Sequence, residues 1–94
     1  MALRTLQVTL GAAATPITTG ANRLSIRQMF IFPTAHDAFI GTSTVDATHG
    51  IKVPTLATVP TVIGPFSGDT PTDTNEWNIF GTQNDVVQVL VVTS

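Results

Sequence analysis

Cysteine is absent from this 94-residue chain. Its absence removes disulfide staples, thiolate metal sites and thiol nucleophiles together. Tyrosine is absent too, and glutamate and lysine occur once each, at Glu76 and Lys52. Charged residues make up 11% of the chain, where about a quarter is usual. Arg4, Arg23, Arg27 and Lys52 are the whole cationic complement, and the formal net charge is −2. No basic stripe exists to neutralise a row of phosphates, which argues against nucleic acid as a partner. The longest apolar run, Val86 to Val92, is interrupted by Gln88 and is far too short to span a bilayer. Met1 to Thr5 lacks the basic-then-apolar order of a secretion signal, so the expectation is a soluble product made in the cytoplasm.

What remains is rich in threonine and valine. β-Branched residues fit a pleated surface and lose rotamer freedom in a helix. Seven glycines and six prolines punctuate the chain, which reads as short strands joined by turns. The length suits one domain over residues 1–94 with a single core, small enough that stability is limited. Hydrophobic residues are 43% and the mean hydropathy is +0.31. With so few charges, such a composition predicts surface apolar area that a partner or a sister copy covers.

Thr5 to Leu10 alternates, placing Leu6, Val8 and Leu10 on one face. Thr15 to Thr18 reads as an edge strand, because Pro16 cannot donate to a ladder. In Arg23 to Phe32 alternation puts Leu24, Ile26, Phe30 and Phe32 on one face, with Gln28 breaking the pattern, and the opposite face begins with Arg23, Ser25 and Arg27 and turns apolar at Met29 and Ile31. A loop of the same chain or a neighbouring subunit then covers that end. Ala38 to Ile40 is a strand stopped by Gly41, and Thr42 to His49 reads as an extended polar arm bent at Gly50. Ile51 to Val53 and Thr61 to Ile63 are short strands. Ser67 to Asn75 is the clearest loop, full of turn formers. Trp77 to Phe80 and Val86 to Thr93 are predicted to form a closing hairpin, with the last strand central because both its faces are apolar. The expected fold is all-β, a compact antiparallel sandwich or barrel, jelly-roll-like, of about seven or eight strands.

Chemistry-bearing residues are few. His36 and His49 lie near Asp37, Asp46 and, more distantly, Asp69, but their spacing matches no ligand motif, and both sit at turns where solvated side chains are usual. Ser43 lacks the G-x-S-x-G elbow. Asp69, Asp73 and Asp85 do not have the spacing of a calcium loop, and no P-loop or dinucleotide fingerprint occurs. No acid and base can be paired, so the expectation is no enzyme, no cofactor, no metal and no small-molecule substrate. Trp77, Phe39, Phe66 and Phe80 offer material for a sugar-stacking platform, although a mid-strand Trp77 fits core packing better.

Four segments taken together resemble small structural proteins of tailed bacteriophages. They are Arg23-Leu24-Ser25-Ile26-Arg27-Gln28, the span Phe39 to Gly50, Trp77-Asn78-Ile79-Phe80, and the valine-rich end Val86 to Val92. The resemblance implies a β-sandwich used as a virion part, most readily a capsid decoration (cement) protein on the capsid surface. It would form a homotrimer and bind the major capsid protein. The expected subunit contact is Met29, Ile31 and Phe39. Coat contacts are expected at Ala2, Leu3, Arg4 and Thr5 and at the loop Ser67 to Asn75, including Asp69 and Asp73. Two other readings stay open: a head–tail connector or tail fitting, and a carbohydrate-binding module.

Overall fold

The computed structural model describes residues 2–55, 61–65 and 72–93. Among them lie nine strands: β1 (Leu3–Thr9), β2 (Thr15–Pro16), β3 (Ser25–Pro33), β4 (Ala38–Gly41), β5 (Ile51–Val53), β6 (Thr61–Ile63), β7 (Thr72–Asp73), β8 (Asn78–Phe80) and β9 (Val86–Thr93). Single 3-10 turns at Gly20–Asn22 and Thr74–Glu76 are the only helical residues described. One antiparallel sheet has the order β1-β9-β3-β6, with β7 also on β3; the other has the order β2-β8-β4-β5. Two open sheets facing one another make a β-sandwich, not a closed barrel.

The core is the space between them. Val8, Met29, Ile31, Val87, Val89 and Val91 project from the larger sheet towards Ile40, Val53 and Ile79 of the smaller. β9 is central as expected, flanked by β1 and β3 along its length. Leu6, Val8 and Leu10 face inward as alternation requires.

Three expectations need correction. Strict alternation in β3 fails at a bulge between Ile26 and Gln28. One extra residue reverses the facing of everything after it, so Ile26, Met29 and Ile31 are all completely buried, while Phe30 and Phe32 turn outward. Met29 and Ile31 therefore cannot form a subunit contact. Phe39 lies in the other sheet, half-buried and opposite Phe80, so the three residues share no surface.

The Trp77–Thr93 hairpin is also absent. β8 pairs with β2 and β4 in the smaller sheet, whereas β9 belongs to the larger. The turn between them passes from one layer to the other, anchored by Leu10, which donates to the Asp85 carbonyl and accepts from the Asn84 N–H, both at 2.8 Å. Finally, Thr42 to His49 is no extended arm. The Val45 N–H bonds the Thr42 carbonyl, Asp46 and His49 exchange backbone bonds, and Val45 is buried against Gly41 and Gly50.

Candidate docking face

The outer side of the larger sheet follows from its register. Leu3, Val92 and Gln28 form one row; Thr5, Leu90, Phe30 and Val62 the next; Gln7, Gln88 and Phe32 a third. None of these residues is charged. Leu3 is 67% exposed, Phe32 44% and Val62 42%, and Phe30, Leu90 and Val92 are half-exposed between them. A shallow recess of about 270 Å³ lies over Thr5, Phe30, Phe32, Gln88 and Leu90. Single exposed apolar side chains are ordinary, but here Leu3, Val92, Leu90, Phe30, Val62 and Phe32 adjoin one another, a pattern that interaction surfaces share. Phe30 and Phe32 escaped detection in the sequence because the bulge, invisible to periodicity, assigns them to the outside.

Among the described residues, those expected to contact a coat gather at one rim of this sheet. Ala2 bonds Thr93, Thr93 lies opposite Ile26, and Ile26 lies opposite Thr72, beside Asp73. Ala2, Leu3, Arg4 and Thr5 are all exposed there. Asp73 is half-buried, 3.7 Å from Arg23. Asp69 lies outside the described residues, as does the first part of the Ser67–Asn75 loop. Its described part is ordered by pairing: Thr72–Asp73 forms β7 on β3, and Thr74 sits fully buried in the 3-10 turn.

The polar clusters serve local structure. His36 Nδ1 lies 2.7 Å from Asp85 Oδ2, joining the turn after β3 to the turn before β9. Asp46 Oδ1 accepts from the Thr48 N–H and hydroxyl and from the His49 N–H, each at 2.8 Å. These bonds, the Thr48 backbone first, draw the Asp46 pKa down to about 2. The Thr55 N–H, and after it Lys52, holds Asp37 below the ordinary carboxylate range. Among the described residues no three His, Asp or Glu side chains group as metal ligands.

The aromatic residues do not make one platform. Phe39 and Phe80 are paired across β4 and β8, while Trp77 packs against the core and donates its indole N–H to Thr72 Oγ1 at 3.1 Å. Phe66 lies outside the described residues. No family model, curated protein or solved structure matches the chain.

Proposed function

We propose that this protein is a structural component of a larger particle, a capsid decoration protein of the kind its sequence resembles, which associates with its own copies and adheres to the coat. The observation that carries this reading is the apolar patch of Leu3, Phe30, Phe32, Val62, Leu90 and Val92 on the outer face of the larger sheet, in rows that carry no charge. Apolar area without charge suits a protein surface of like character. It offers nothing to phosphate, to an anionic membrane or to a charged small substrate. Weak contacts of this sort become effective by repetition, because each copy held on a lattice raises the effective concentration of its other contacts. The occupant of the face is accordingly the major capsid protein. The exposed rim at Ala2 to Thr5 extends the contact on the same sheet.

The test is where the protein sits on purified particles from the source that makes it. Imaging is expected to place many copies across the shell, and Phe30→Asp combined with Val62→Asp is expected to release them while the β circular dichroism persists. Absence from particles overturns the reading. A single ring at one vertex replaces it with a connector or tail fitting.

A further inference from the structure

A two-sheet sandwich presents open edges, and most of those here are blunted. β2 is two residues long and contains Pro16, whose nitrogen bears no proton. β5 has three residues, among them Lys52, paired with Asp37 at 3.4 Å. β6 and β7, which share the far side of β3, have three and two residues. Shortness, proline and lysine are the usual devices against edge-to-edge pairing. β1 has neither of the first two, and its one charge is an arginine in the inward phase opposite Val91. It runs for seven residues without proline, without a bulge against β9, and with Arg4 as its single charge.

The phase of its hydrogen bonds can be fixed from both ends. Thr93 donates to the Ala2 carbonyl and Leu10 to the Asp85 carbonyl, each at 2.8 Å. Opposed residues in an antiparallel ladder alternate between bonded and non-bonded pairs. The bonded positions are therefore the even-numbered ones, and Leu3, Thr5, Gln7 and Thr9 turn their N–H and C=O groups away from β9. Among the described residues no strand pairs with that side.

We infer that two copies join edge to edge through β1, antiparallel, about a two-fold axis at Leu6. This register sets Leu3 opposite the second copy's Thr9 and Thr5 opposite its Gln7, so all four outward-turned residues are used. Like charges do not meet, since Arg4 faces Val8. Leu6 faces its own counterpart at the mouth of a groove of about 530 Å³, lined also by half-buried Leu24 and buried Ile17. Pairing thus covers apolar surface as well as the edge. A strand that complements itself selects a second copy over a foreign peptide, and two-fold pairing closes, leaving no free β1 to propagate. The outer faces of the two larger sheets then run on as one apolar surface. The inference deepens the assembly reading above, and it puts a two-fold where the resemblance implied a trimer.

The free protein tests it. Light scattering is expected to give a mass twice the 9.9 kDa of the chain. Thr5→Pro, which removes an outward N–H and no bond to β9, is expected to return the mass to that of one chain with the circular dichroism unchanged. The chain has no cysteine, so Leu6→Cys is expected to oxidise to a covalent dimer, since Cβ atoms in such pairs approach to about 4.5–5.5 Å. Leu3→Cys, facing threonine, is expected to form no covalent dimer. If Thr5→Pro does not fold, amide exchange in the unaltered protein decides: the N–H groups of Leu3, Thr5, Gln7 and Thr9 must slow as concentration rises. A single-chain mass at every concentration, a dimer that persists in folded Thr5→Pro, or Leu3→Cys crosslinking as readily as Leu6→Cys overturns the inference. A dimer that ignores particles leaves it standing and removes the capsid reading; a protein that decorates particles yet never pairs through β1 does the reverse.

Discussion

Val45 lies directly over Gly50. A Cβ built on Gly50 would fall 2.5 Å from Val45 Cγ2 and 3.1 Å from the Ile40 carbonyl oxygen. Neither neighbour can retreat easily, because one is the stiff branch of a buried valine and the other is backbone. Gly50→Ala is expected to destabilise the protein by about 1–3 kcal/mol, measured by denaturant unfolding. Val45→Ala in the same chain should recover part of that loss. Strictly additive costs would show that the two do not press on one another.

The same loop should respond to acid. Asp46 is held as a carboxylate by Thr48 and His49, with a pKa near 2 against an ordinary 3.8. A lowered folded-state pKa means its support is complete above the ordinary value and fades as pH falls from 3.8 through about 2. Amide shifts of Thr48 and His49 are expected to titrate in that window, and Asp46→Asn is expected to flatten the change. Titration of those amides centred above pH 4 would contradict the geometry.

Thr74 ties the two layers together. Its Oγ1 accepts the Leu24 N–H at 2.8 Å and shares a hydrogen bond with the Thr18 hydroxyl, all within a fully buried residue. Thr74→Val keeps the shape but leaves the Leu24 N–H and the Thr18 hydroxyl without that oxygen. The expected cost is about 1–3 kcal/mol, read from the shift in thermal midpoint. Thr74→Ser, which keeps the oxygen, should lose less.

Much of the strand content was legible because alternation and punctuation are local. Leu6, Val8 and Leu10 point as periodicity dictates, Pro16 marks an edge, and the double-faced apolar run at Val86 to Val92 lies in the middle of its sheet. The failures belong to tertiary choices. Sequence adjacency made β8 and β9 a hairpin, but β8 is claimed by β2 and β4 across the sandwich. Turn-forming composition hid β7, whose pairing to Ser25 and Ile26 is with residues far back in the chain. Polar composition from Thr42 to His49 concealed Val45, the buried side chain that folds the segment back onto glycine. The docking face suffered most, since it depends on which way Phe30 and Phe32 point.

That direction gives the sharpest mutational contrast. Ile31 and Phe32 are neighbours in β3, yet one is completely buried and the other 44% exposed. Ile31→Asp places a carboxylate at a completely buried position between the sheets. Its expected cost exceeds about 4 kcal/mol and unfolds the domain. Phe32→Asp sits on the outer face beside Gln88, where solvent reaches it, and is expected to change stability by no more than about 1 kcal/mol. Far-ultraviolet circular dichroism during urea unfolding measures both. Were the bulge at Ile26–Gln28 absent, alternation from Ile26 would exchange the two outcomes, so the pair of variants reports the facing of the strand independently of any partner.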